Sequence, residues 1–339
     1  MDAARVKTVT VLGGGSWGTA LAVLLASKAY QVSVWEFFPE RADALRRDRE
    51  NRAMLPGVRI PDEVRITPDI EEACAGTDHL LFVVPSHVLR DTARKAAPFV
   101  KLGHTITIAT KGIEEGSLKR MSQVAAETIP VAAERIAVLV GPSHAEEVSR
   151  GLPTAVVASS VCPATAETVQ EIFMTPTFRV YTNTDIVGVE VGVSLKNVVA
   201  IAAGICDGLG FGDNTKGALM TRGLAEITRL GVRMGAHQET FSGLAGIGDL
   251  ITTCISRHSR NRYVGEEMAK GNTLDRVLAG MVMVAEGVRT TRSAVSLAKA
   301  LEVEMPIAQE VYQILFDGKS AKQAIKDLML RSRKPEIWW

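Results

Sequence analysis

Lys196 is the one cation in a mostly apolar run, Glu190-Val191-Gly192-Val193-Ser194-Leu195-Lys196-Asn197. A buried ammonium is costly unless it is paired or gives up its proton more readily, and a lowered pKa suits an amine that exchanges a proton near neutral pH. The alternatives are a lysine that snorkels to the surface or one paired for structural reasons alone. Farther on, the glycines of Gly243-Leu244-Ala245-Gly246-Ile247-Gly248 bring backbone close to a neighbour, and Asp249 falls at a helix start, to serve a site or to N-cap. The stretch Ser256-Arg257-His258-Ser259-Arg260-Asn261-Arg262 sets guanidinium, hydroxyl and amide groups ahead of a helix, which suits a phosphate; the plainer reading is a solvated basic loop. As a nucleic-acid patch it is too short and has no interleaved aromatics.

A second group of residues lies near the N-terminus. Gly13-Gly14-Gly15-Ser16-Trp17-Gly18 follows the apolar run Val9 to Leu12 and opens a helix from Thr19. In G-x-G-x-x-G at a strand exit, Gly13 permits the tight turn, Gly15 admits a pyrophosphate, and Gly18 lets the helix lie on the strand with its positive end at the phosphates. The next strand ends in Glu36, which can accept hydrogen bonds from a ribose diol and repel a 2′-phosphate. That favours NAD(H); the alternative is a solvated acid, with Arg41 free to accept NADP. Three other strand exits match this edge. Val83-Val84-Pro85-Ser86 turns at its proline. Lys111, in Ala109-Thr110-Lys111-Gly112-Ile113, could reach a phosphate or a carbonyl oxygen, or only solvent. In Gly141-Pro142-Ser143-His144-Ala145-Glu146, backbone N–H groups and the Ser143 hydroxyl could hold an oxyanion or a nicotinamide amide, unless Ser143 merely caps a helix.

The elements that must position these residues alternate in the first half. Strands are expected at 8–12, 31–36, 79–84, 104–109, 136–140, 154–159 and 178–182, with helices at 39–49, 87–97, 117–127 and 163–173. This is an α/β pattern: a Rossmann-type, doubly wound, mostly parallel sheet. Beyond Asp185 only helical periodicity appears, at 187–205, 215–235, 261–271, 291–301, 306–316 and 320–330. The chain therefore reads as a dinucleotide-binding domain over 1–187 and an all-helical substrate domain over 188–339, with the active cleft expected along their packed interface.

Bulk properties exclude several classes. The 339 residues carry a net charge of +1, with 46% hydrophobic and 23% charged residues, so no overall field draws nucleic acid or membrane. Cys74, Cys162, Cys206 and Cys254 have no C-x-x-C spacing, which suits reduced thiols in a cytoplasmic enzyme. Met1-Asp2-Ala3-Ala4-Arg5 lacks the apolar core of a signal peptide, and apolar stretches such as Val198 to Cys206 read as too short for a bilayer. The six histidines show no zinc spacing and there is no G-x-S-x-G elbow. Hydride chemistry requires neither, and no metal is expected. The basic tail Arg331-Ser332-Arg333-Lys334 reads as a solvated end, and Trp338-Trp339 has no evident role.

In order, Gly13-x-Gly15-Ser16-Trp17-Gly18-Thr19-Ala20-Leu21, Lys111-Gly112, Gly141-Pro142-Ser143-His144-Ala145, Ser194-Leu195-Lys196-Asn197, Gly243-Leu244-Ala245-Gly246-x-Gly248-Asp249, Ser259-Arg260-Asn261 and Glu286-Gly287-Val288 resemble the bacterial type of NAD(P)-dependent sn-glycerol-3-phosphate dehydrogenase, from about residue 8 to 330. The resemblance implies a fold like that of 6-phosphogluconate dehydrogenase, and reduction of dihydroxyacetone phosphate to the glycerol 3-phosphate of glycerophospholipids. It implies Lys196 as general acid/base, with Lys111, Gly141, Ser143, Asp249, Ser259, Arg260 and Asn261 lining the substrate. Ser16, Trp17, Phe37, Phe38, Lys111, Ala145, Arg260, Val284 and Glu286 would contact NAD or NADP. His144 stands where many members carry phenylalanine, and the segment Trp35 to Phe38 varies across the family. A homodimer is compatible with the helical domain. Two rivals are a 3-hydroxyacid dehydrogenase and a non-catalytic NAD(H)-binding redox sensor. The first usually has asparagine three residues after its lysine, where this chain has Val199; the second leaves Lys111, Lys196 and Asp249 without a shared task.

Overall fold

A computed structural model describes residues 6–336, so Met1 to Arg5 and Trp338-Trp339 lie outside the described residues. Its strands are β1 (Thr8–Leu12), β2 (Gln31–Trp35), β3 (Glu50–Asn51), β4 (Leu55–Arg59), β5 (Arg65–Thr67), β6 (His79–Phe82), β7 (Thr105–Ile108), β8 (Ile136–Val140), β9 (Thr154–Ser159) and β10 (Phe178–Asn183). One sheet runs β10-β9-β8-β7-β6-β1-β2-β5, and β3 pairs with β4 in a separate hairpin. The middle strands β6, β7 and β8 are buried along their whole length, whereas edge strand β10 alternates at first between buried and exposed. Near-continuous apolar runs therefore mark strands covered on both faces.

Neighbouring strands of this sheet are parallel except β8 and β9. A parallel return needs a crossover carrying a substantial helix. Between β8 and β9 the chain has only the short helix Ala145–Val148, and it returns antiparallel. Strand order reverses between β1 and β6, and the exits of both strands, at Gly13 and Val83, mark the edge where a doubly wound sheet takes its ligand. Three short strands escape the sequence pattern. Strand β4 contains Pro56-Gly57, β3 has two residues and β5 three, too few to show a period.

The chain forms two compact units. The first comprises the residues up to Lys111 with Lys119–Glu190; the second comprises Gly112–Leu118 with the residues from Val191 on. Described residues after Asn183 contain helices and no strand. Helix Ile186–Gly208, capped by Asp185 Oδ1, which accepts from the Gly188 N–H, begins in the first unit and ends in the second. Its 23 residues are long and apolar enough to cross a membrane by length and composition, which corrects the expectation that every apolar stretch falls short. Periodicity located only 187–205. The protein's own interior covers this helix, with 89% of its most apolar stretch buried.

Within the second unit this helix meets helix Arg260–Ala269 backbone to backbone. A Cβ at Gly204 would lie 1.8 Å from the Arg262 carbonyl oxygen, and one at Gly265 would lie 1.9 Å from that of Ile201. Helix Asp213–Arg233 contributes Glu226, whose carboxylate accepts from the N–H groups of Ile307 (2.8 Å) and Ala308 (3.3 Å) at the start of helix Pro306–Phe316. Burial pushes the Glu226 carboxyl up to about 7, against the lowering effect of those two donors. A carboxyl whose folded pKa exceeds its unfolded one contributes stability in full below the unfolded value, about 4.3, and loses it as pH rises through about 7. Thermal unfolding at pH 5 and pH 8 should show the wild type losing on the order of 2 kcal/mol more than Glu226→Gln across that interval. Parallel pH profiles for the two proteins would refute the assignment.

Candidate active site

In the first unit the glycine turn has the form of a phosphate cradle. Gly13 sits at φ +123°, and a Cβ there would lie 2.8 Å from the Val83 carbonyl oxygen at the β6 exit. A Cβ at Gly18 would lie 1.9 Å from the Gly13 carbonyl oxygen, so the third glycine is required for helix Ser16–Ser27 to approach the strand. At Gly15 a Cβ would meet nothing within 4 Å. The helix has no side-chain cap and no acid in its first turn, so its first N–H groups are not taken up by a capping side chain. Open space, N-terminal donors and the close glycine turn together fit the pyrophosphate of a dinucleotide.

Sequence reasoning missed Asn51 of β3. Its buried amide donates to the Gly14 carbonyl (2.9 Å) and to Thr19 Oγ1 (3.1 Å), clamping the turn from outside the motif. A two-residue strand gives no periodic signal from which to find it. Asn51→Ala leaves the Gly14 carbonyl without that donor and should cost about 1–2 kcal/mol of stability. Calorimetric titration should show the Kd for NADH weakened several-fold, and an unchanged Kd would show that the turn holds itself.

The other expected cofactor contacts of this unit divide into buried and exposed. Ser16 and Ala145 are buried, and half-buried Trp17 packs with Ala145, Leu55 and Val58 and lies 6.4 Å from the Phe178 ring. Phe37 and Phe38 are exposed, stacked edge to face at 5.0 Å. Glu36 is only 4% exposed, so it is not the solvated acid of the alternative reading. Arg41, free to accept NADP in that alternative, has its Nε 3.6 Å from Glu36 Oε1. At the β7 and β8 exits, Lys111 Nζ (2.9 Å) and Ser143 Oγ (3.0 Å) both donate to the Gly141 carbonyl. Lys111 is thus half-buried rather than a surface lysine, and the helix that follows is capped by His144 backbone, not by Ser143.

In the second unit the solitary lysine has a countercharge. Lys196 is 5% exposed and Asp249 2%; Nζ donates to Asp249 Oδ1 at 3.0 Å and to Thr253 Oγ1 at 2.5 Å. Thr253 in turn donates to the Asp249 carbonyl at 2.7 Å. The snorkelling alternative is excluded, and so is Asp249 as a cap: it is the first residue of helix Asp249–Ile255, and its carboxylate turns to the lysine. Thr253, one helical turn after Asp249, is a second contact that sequence reasoning missed. Threonine in a half-apolar helix carries no distinguishing pattern.

The residue after the lysine connects to the basic segment. Asn197 Oδ1 accepts from Asn261 Nδ2 (2.9 Å), and Asn261 Oδ1 accepts from the Gly287 N–H (2.9 Å), beside Glu286 at the start of helix Glu286–Ala300. Ser259 caps helix Arg260–Ala269 through the Arg262 N–H (3.2 Å), and exposed Arg260 donates to the Val284 carbonyl (3.0 Å). Asn261 thus braces the helix start that bears Ser259 and Arg260 against Asn197, the residue next to Lys196, and against Gly287, the residue next to Glu286.

A Rossmann-type sheet with a phosphate cradle, followed by a helical unit with a buried lysine–aspartate pair, defines a dinucleotide-dependent oxidoreductase. Residues 8–166 match the family model for the N-terminal part of NAD-dependent glycerol-3-phosphate dehydrogenase and residues 185–326 that for its C-terminal part; the chain belongs to this family. It is 54% identical over 331 residues to a glycerol-3-phosphate dehydrogenase [NAD(P)+] of Chlorobium limicola, covering 97% of this chain and 99% of the relative. It is 52% identical to that of Moorella thermoacetica, covering 98% of each. The crystal structure of glycerol-3-phosphate dehydrogenase from Coxiella burnetii superposes with a TM-score of 0.92 at 36% identity, covering 96% of this chain and 99% of that one.

Proposed function

We propose that this enzyme interconverts dihydroxyacetone phosphate and sn-glycerol 3-phosphate with NAD(P)H and NAD(P)+, in the cytoplasm, and so supplies glycerol 3-phosphate to glycerophospholipid synthesis. The observation that carries the reading is the buried Lys196–Asp249 pair, joined through Asn197 and Asn261 to the helix start that presents Ser259 and Arg260. When bound in the reduced form, the nicotinamide supplies hydride to the C2 carbonyl carbon. Lys196, as the ammonium, stabilises the negative charge growing on the carbonyl oxygen and delivers its proton there; in the reverse direction the amine takes the proton from the alcohol. Asp249 and Thr253 hold the ammonium in place. Arg260, with the N-terminal donors of its helix, anchors the substrate phosphate, and that binding energy orients the reacting carbon. Lys111, Gly141 and Ser143 also line the substrate.

The test is steady-state oxidation of NADH and NADPH with dihydroxyacetone phosphate, alongside short 3-oxoacids. Turnover on the triose phosphate is expected. Turnover on the oxoacids alone would replace the reading with a 3-hydroxyacid dehydrogenase, and none on either, with the dinucleotide still bound, would leave a redox sensor.

A further inference from the structure

The acid at the end of β2 is not displayed to the ligand edge. Glu36 lies beneath the glycine turn, where a Cβ at Gly14 would come within 2.7 Å of its Oε2. Its Oε1 accepts from the Phe38 N–H at 3.3 Å and lies 3.6 Å from Arg41 Nε. Burial raises its pKa, against the lowering effect of Arg41. Arg41 is differently placed. Its side chain is 37% exposed, its Nη2 donates to Met54 Sδ at 3.1 Å, and its guanidinium lies 5.3 Å from the centroid of the exposed Phe38 ring. Phe38 packs edge to face with Phe37, and Lys95 Nζ lies 4.7 Å from the centroid of the Phe37 ring. Arg41 therefore offers open donors beside an exposed aromatic ledge, and the buried carboxylate behind it offsets its charge.

We propose that Arg41 is the specificity residue for the dinucleotide, and that Glu36 sets the preference for NAD(H) by neutralising Arg41 rather than by accepting hydrogen bonds from the ribose. A 2′-phosphate approaching this ledge meets a guanidinium whose field is largely spent on Glu36, together with the carboxylate's own repulsion. A 2′-hydroxyl needs neither group. This rests on the dinucleotide reading of the glycine turn and is independent of which substrate is reduced.

The two mechanisms make different predictions for Glu36→Gln. Removing the carboxylate's charge unmasks Arg41, so the Kd for NADP+, read by calorimetric titration without substrate, should tighten about tenfold, while the Kd for NAD+ changes by less than about threefold. With dihydroxyacetone phosphate, kcat/KM for NADPH should rise in parallel. In Glu36→Gln/Arg41→Ala the NADP+ gain should disappear, and Arg41→Ala alone should leave NAD+ binding unchanged. A tenfold loss of NAD+ affinity in Glu36→Gln without an NADP+ gain would overturn the proposal in favour of a direct ribose contact. A gain that survives in the double variant would overturn it in favour of another cation, such as Lys95. Arg41→Ala keeps the wild-type carboxylate and so reports even if Glu36→Gln fails to fold. Were the triose phosphate reading wrong, turnover would vanish for every variant, and the two dissociation constants would still decide the point.

Discussion

Lys196→Ala should lower kcat at least ~10³-fold, because it removes both the proton donor and the charge that stabilises the developing oxyanion. The Kd for NADH should stay within about threefold of wild type, since the glycine turn, Asn51 and the β6 exit are untouched. The variant also leaves Asp249, 2% exposed, without its ammonium. Removing one partner of a buried ion pair costs ~3–5 kcal/mol, so the melting temperature should fall as well. The two losses separate in Lys196→Met/Asp249→Asn, which refills the site with neutral groups: stability should largely return and turnover should not. Turnover within tenfold of wild type in Lys196→Ala would end the assignment of the lysine as the acid/base group.

The largest structural effect is expected at Gly265. A Cβ there would come within 1.9 Å of the Ile201 carbonyl oxygen, 2.8 Å of its carbon and 2.9 Å of the Ile205 nitrogen. All three are backbone atoms of a buried helix, so no rotamer change relieves the clash and the two helices must part. Overpacking costs typically ~1–3 kcal/mol, and Gly265→Ala should reach or exceed the upper figure. Separating the helices stretches the Asn197–Asn261 bond and displaces the helix start that bears Ser259 and Arg260. The KM for dihydroxyacetone phosphate should therefore rise more than kcat falls, ~10-fold against a small change, as expected when phosphate anchoring is lost ahead of chemistry. Gly280→Ala is the control: its nearest neighbour would be 3.6 Å away, and it should change stability by less than ~0.5 kcal/mol. Equal stability of the two variants would refute the close crossing.

Much of the candidate site was legible in the chain because it sits at ends of elements. Gly13 to Gly18, Lys111, Gly141 and Ser143 fall at strand exits, where an apolar run stops and a turn residue begins, and that transition is local. Lys196 stood out because a charge inside an apolar run needs an explanation. What serves these residues from a distance could not be read in the same way. Asn51 reaches Gly14 across 37 residues, Thr253 reaches Lys196 across 57, and Asn261 reaches Asn197 across 64. Each is a common polar residue with no periodic or motif signal of its own.

By itself, the order of residues determined the alternation of strand and helix, the glycine cradle and the presence of an isolated lysine, because hydrophobic period and steric permissiveness are properties of neighbours along the chain. Tertiary structure decided which acid partners that lysine, that Glu36 turns inward onto Arg41, that β9 runs against β8, and that a helix apolar enough for a bilayer is covered by protein instead. These outcomes depend on burial and on distances between segments far apart in sequence. The free energy of a charge, or of an apolar face, is set by what surrounds it in space.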